Sequence, residues 1–91
     1  MVYPREIEDV VRDMDGVTEC AAVGTPDGKT GEAVWLFVVA DQLSKNEIEQ
    51  KCRQYLAAYK RPSRITFVEA LPLTGPGKID RSSLRSLAAQ M

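Results

Sequence analysis

The chain has 91 residues and a mass of 10.1 kDa, of which 44% are apolar and 27% charged, with six glycines and five prolines. That is the composition of one small soluble globule, and it excludes a disordered tail, a collagen repeat and a disulfide-stapled scaffold. Twelve basic against thirteen acidic side chains leave a net charge of −1 and a pI near 5.4, so no general attraction to nucleic acid or anionic lipid is expected.

In chain order, Tyr3, Ile7, Val10, Val11 and Met14 recur at helical spacing, with Pro4 where a first turn tolerates it and Glu6 and Glu8 near the positive end. Strand candidates follow at Glu19 to Gly24 and Glu32 to Ala40, joined by turn chemistry in Thr25-Pro26-Asp27-Gly28-Lys29-Thr30-Gly31. The second strand is apolar on both faces, which predicts a central position covered by helices on both sides. Ser44-Lys45-Asn46-Glu47 reads as a capping box, and Ile48, Cys52, Tyr55, Leu56 and Tyr59 continue a helix until Arg61-Pro62. A third strand is expected at Arg64 to Ala70. A third helix is expected from an Asp80 N-cap, with Ile79 and Leu84 as a staple and Leu87 and Ala88 beyond. The predicted fold is α+β: a small three-stranded sheet, a hairpin plus one strand, flanked by three helices in a single domain spanning residues 1–91.

Folding a chain this short buries only about 60 to 65% of the surface its unfolded form exposes, which leaves little room for an enclosed active site. No histidine is present, so Ser-His and Cys-His triads and the commonest metal ligand are missing. Cys20 and Cys52 lie in apolar contexts outside any C-x-x-C motif and read as buried, reduced thiols of a cytoplasmic protein. The longest apolar run, Ala33 to Ala40, is far short of the roughly 20 residues a membrane-spanning helix requires. The polar start Met1 to Glu6 is not expected to be a secretory signal.

Unusual chemistry concentrates in Leu71-Pro72-Leu73-Thr74-Gly75-Pro76-Gly77-Lys78-Ile79-Asp80-Arg81. Gly75, Pro76 and Gly77 remove side chains that would shield Lys78, which predicts an ammonium displayed at the tip of a loop able to approach a ligand closely. A phosphate-cradling P-loop fails on spacing, because Pro72 and Ile79 occupy positions that would need glycine and Ser or Thr. A solvated Gly-Pro-Gly turn without chemistry is the plain alternative.

The whole chain resembles the C-terminal domain of the adenylate-forming enzymes, a family of acyl-CoA synthetases, peptide adenylation domains and luciferases. Tyr3-Pro4-Arg5-Glu6-Ile7-Glu8, Ala21-Ala22-Val23-Gly24 with Pro26-Asp27 and Gly31-Glu32, Tyr59-Lys60-Arg61-Pro62, and Leu71-Pro72 with Gly77-Lys78-Ile79-Asp80-Arg81 and Leu84 carry the likeness. The resemblance implies a lid domain of an ATP-dependent acid-thiol ligase of the acyl-CoA synthetase type, concerned with fatty or aromatic acids and inactive alone. Lys78 would enter the active site of a large N-terminal adenylation domain that holds ATP with its Mg and the carboxylic acid. Gly75 and Gly77 would support it. The resemblance places Tyr3, Thr30, Gly31 and Arg53 on a second face toward the thiol of CoA or a carrier protein. Thr30 stands where some CoA ligases carry an aromatic residue, and an arginine such as Arg53 on an amphipathic helix is also commonly just solvated. Trp35 reads as core rather than as a stacking platform.

Two other readings stay open on the sequence. One is a non-catalytic interaction module that keeps the fold. The other is a weak RNA-binding module using Lys60, Arg61, Arg64, Lys78, Arg81 and Arg85, against which the acidic pI argues.

Overall fold

The computed structural model describes residues 4–27, 31–57 and 61–90. Helix α1 spans Pro4–Arg12, strand β1 Val17–Asp27, β2 Gly31–Ala40, helix α2 Lys45–Tyr55, β3 Arg64–Phe67 and helix α3 Arg81–Gln90. The three strands form one mixed sheet in the order β1-β2-β3, with β1 antiparallel and β3 parallel to β2. A parallel neighbour needs a crossover, and α2 supplies it between β2 and β3.

The central strand is doubly apolar because helices lie on both of its faces, as the sequence predicts. Val34, Leu36 and Val38 point to one side, where Ile7 and Val11 of α1 and Ile48 and Cys52 of α2 meet Cys20, Ala22, Leu56 and Ile65. Phe37 points to the other, where Leu84 and Ala88 of α3 close over Ala21, Val23 and Leu71. Period-two alternation along one strand therefore feeds two cores. Trp35 packs against the second of them, with the Arg64 guanidinium 4.9 Å from its ring centroid.

Several boundaries differ from the sequence expectation. Pairing along β1 and β2 runs out to Asp27 and Gly31, so Thr25, Pro26, Asp27 and Gly31, expected in a turn, are strand residues; β1 lies at the sheet edge, where proline costs least. Helix α2 stops at Tyr55 with Leu56 in an extended conformation. Arg61 explains the early stop: its Nε donates to Leu56 O at 3.2 Å and its Nη2 to Arg53 O at 3.2 Å, satisfying carbonyls left open at a helix end. Tyr55, expected on the apolar stripe, is 59% exposed and lies under the Lys51 ammonium, 4.6 Å from the ring centroid. Strand β3 ends at Phe67 rather than Ala70, although Val68 N still donates to Val38 O at 2.9 Å. Tyr3, Thr30, Tyr59 and Lys60 lie outside the described residues.

Both cysteines are free and buried. Burial pushes the Cys20 thiol up to about 11 and raises that of Cys52, so both remain protonated and inert near neutrality. Among the described residues, no helix is long and apolar enough to cross a membrane.

Candidate functional site

The segment between β3 and α3 is a short closed hairpin. Leu73 and Ile79 form an antiparallel bridge, Asp80 N donates to Pro72 O at 2.8 Å, and Thr74 N donates to Lys78 O at 2.8 Å. Gly77 N donates back to Thr74 O at 2.8 Å, which places Gly75 and Pro76 at the apex. Gly77 has φ +87°, a left-handed conformation that suits glycine. Gly75 has neither a positive φ nor an atom within 4 Å of where a Cβ would stand.

Lys78 therefore sits on the returning arm, one residue past the turn, rather than at the tip. Its side chain is exposed, and among the described residues no carboxylate pairs with its ammonium. Leu73, paired across the hairpin with Ile79, is 59% exposed. The hairpin thus displays an exposed cation at Lys78 and, on its other arm, a large exposed apolar side chain at Leu73.

The hairpin is rooted at both ends. Leu71 enters the core beside Phe37 and Leu84. At the other end Asp80 caps α3: its Oδ1 accepts from Ser83 N at 3.1 Å and its Oδ2 from the Ser83 hydroxyl at 2.6 Å. Those bonds, the hydroxyl first, hold the Asp80 carboxyl below the usual carboxylate range.

Arg81, the first residue of α3, reaches across to α1 and β1. Its Nη1 donates to Glu8 Oε2 at 2.7 Å and to Ala22 O at 2.9 Å, and its Nη2 donates to Glu8 Oε1 at 3.1 Å. Glu8 Oε2 also accepts from Ala22 N at 2.7 Å. Glu8 is 3% exposed and no longer a solvated residue of the helix N-terminus, as its sequence position alone suggests. The hydrogen bonds to Glu8 raise the Arg81 pKa further. Sequence reasoning missed this bridge, yet two signals were there: Glu8 interrupts the buried Ile7 and Val11 stripe, and an arginine opens a helix whose dipole disfavours a cation there.

Of the remaining predicted residues, Arg53 and Gly31 are described, and among the described residues no hydrogen bond joins either to Lys78. Arg53 is exposed on α2 beside a shallow pocket lined by Glu49, Cys52, Arg61 and Pro62, and its own carbonyl is held by Arg61. Gly31 is the first residue of β2. Three residues of the basic set of the RNA reading are engaged elsewhere: Arg61 caps a helix, Arg64 lies over Trp35, and Arg81 is ion-paired.

This arrangement of sheet, helices and lysine hairpin coincides with a described family: residues 6–78 match the AMP-binding enzyme C-terminal domain. The chain belongs to that family. The match runs from helix α1 through the hairpin and ends on Lys78 itself. Over 89 residues this AMP-binding enzyme C-terminal domain is 49% identical to the long-chain-fatty-acid–CoA ligase of Salmonella typhimurium, covering 96% of the chain but 16% of the ligase. It is 44% identical over 85 residues to the 2-succinylbenzoate–CoA ligase of Listeria monocytogenes, covering 92% of the chain and 18% of that ligase. Among solved structures, the Mycobacterium tuberculosis fatty acyl CoA synthetase is similar at a TM-score of 0.92 and 43% identity, over 98% of this chain and 18% of that one. ATP-bound MatB from Rhodopseudomonas palustris is similar at 0.90 and 34%, over 94% and 18%. The chain thus spans less than a fifth of the length of these relatives.

Proposed function

We propose that this domain is the mobile C-terminal part of an ATP-dependent acid-thiol ligase of the acyl-CoA synthetase type, and that Lys78 is its catalytic contribution. The observation that carries the reading is the exposed ammonium of Lys78, without a carboxylate partner among the described residues, on a hydrogen-bonded hairpin rooted at both ends. A lysine with no carboxylate partner among the described residues is suited to a site completed elsewhere. The exposed Leu73 on the same hairpin gives that projection an apolar contact for the other wall of the site.

The large N-terminal domain would hold ATP, with its Mg, and the carboxylic acid. The acid's oxygen attacks the α-phosphorus and pyrophosphate departs, leaving an acyl-adenylate. The Lys78 ammonium lies between carboxylate and phosphate oxygens while negative charge redistributes. A positioned cation of this kind at a water-poor phosphoryl-transfer centre is worth about 3 to 4 kcal/mol, or several hundredfold in rate. Withdrawing the domain then frees the acyl carbon for attack by a thiol, with AMP as the leaving group. CoA is favoured as the thiol because the relatives named above include CoA ligases. Arg53 and the Gly31 end of the β-hairpin, with Tyr3 and Thr30, are assigned to the thiol-facing side. Gly77, in its left-handed conformation, shapes the hairpin that carries Lys78, and Gly75 stands at its apex.

The test uses a chimera in which residues 1–91 replace the matching segment of the Salmonella ligase. Lys78→Ala is expected to depress acid-dependent ATP–pyrophosphate exchange by about a hundredfold or more. Thioester formation from preformed acyl-adenylate should stay within about threefold. Equal loss of both half-reactions would reject the assignment.

A further inference from the structure

The bridge that joins Glu8, Ala22 and Arg81 lies three residues beyond Lys78, and nothing in the reaction described above uses it. Arg81 supplies both of its terminal nitrogens, and Glu8 supplies both of its carboxylate oxygens. The remaining bonds go to the N–H and the carbonyl of a single residue, Ala22, on the outer strand of the sheet. A lone ion pair needs none of this backbone wiring. The result is a planar clamp that fixes where α3 begins relative to α1 and β1, and the start of α3 is where the lysine hairpin ends.

We propose that Glu8 and Arg81 are positioning residues for Lys78, which set the angle at which the 72–80 hairpin stands off the sheet. The proposal rests on the catalytic reading of Lys78. Besides the Asp80 cap on α3, two further anchors tie that hairpin to the body of the fold. Leu71 is an apolar contact that tolerates sliding, whereas the Arg81 clamp is directional, with four hydrogen bonds between 2.7 and 3.1 Å in fixed orientation. When the domain turns as one body, the ammonium arrives where α1 and β1 aim it. Without the clamp it arrives spread over a wider arc, and a displacement near 1 Å costs up to about a hundredfold at a reacting centre.

The experiment is a double-mutant cycle in the same ligase chimera, reading both half-reactions and the thermal midpoint of each variant. Arg81→Met is expected to lower kcat for ATP–pyrophosphate exchange by about tenfold to a hundredfold while KM for ATP moves less than about threefold. Thioester formation from preformed adenylate should hold within about twofold. Arg81→Lys keeps the charge but not the fork, and should fall between wild type and Arg81→Met; it carries the test if Arg81→Met does not fold. In a Lys78→Ala background either Arg81 change should cost less than about twofold more, since a positioning residue has nothing left to aim. Loss of both half-reactions in step with the thermal midpoint, or an undiminished effect in the Lys78→Ala background, overturns the positioning role. If Lys78→Ala itself leaves exchange intact, the catalytic reading fails. If it abolishes exchange while Arg81→Met and Arg81→Lys do not touch it, the positioning role alone fails.

Discussion

At the scale of single residues, the two glycines around Pro76 are not equivalent. Gly77 takes a left-handed φ of +87° and its N–H closes the turn onto Thr74, whereas a Cβ on Gly75 would meet nothing. Gly77→Ala is expected to destabilise the hairpin by about 1 to 2 kcal/mol, the usual cost of a left-handed conformation for an L side chain. Gly75→Ala should change stability by less than about 0.5 kcal/mol. Denaturant unfolding of the 91-residue chain with each substitution checks both, and equal effects would contradict the hairpin geometry. The exposure of Lys78 was legible in the sequence because glycine, proline and a following helix cap leave a lysine little to pack against. Its place on the returning arm was not legible, since that depends on bonds between Thr74 and Lys78 that no local propensity dictates.

At the scale of elements, capping chemistry was the most readable feature. Ser44 and Glu47 form the predicted capping box, with Glu47 N donating to the Ser44 hydroxyl at 3.2 Å, and Asp80 caps α3 as expected. The end of α2 was not readable, because the residue that terminates it, Arg61, acts from five and eight positions away. The Glu8 and Arg81 bridge escaped for the same reason on a larger scale, as its partners lie 73 residues apart. It also covers the free edge of β1 at Ala22, where an unpaired strand would otherwise invite another chain. Asp80 offers a pH test. Its carboxyl is depressed in the folded state, so its contribution is present above the ordinary carboxylate pKa near 4 and fades as pH falls through the depressed folded value. The thermal midpoint of wild type should exceed that of Asp80→Ala near pH 7, and the gap should close in acid. A gap unchanged down to pH 2 would show that the cap acts without its charge.

At the scale of the whole molecule, one sheet serves as the divider between two small cores, and that much followed from a single doubly apolar strand. The arrangement gives a small packed body that exposes a structured lysine hairpin. Rigidity matters for the proposed function, because a lysine that visits a site owned by another domain can only be as well placed as the body that carries it. The most direct measurement is the reactivity of the Lys78 amine toward reductive methylation in the ligase chimera, followed by peptide mass spectrometry. In the 91-residue chain, the amine is expected to label at the rate of an exposed lysine. In the chimera, ATP together with the carboxylic acid substrate should slow its labelling by about tenfold or more relative to other surface lysines, as burial against phosphate withholds the amine. Labelling at the same rate with and without ATP and acid would contradict the account.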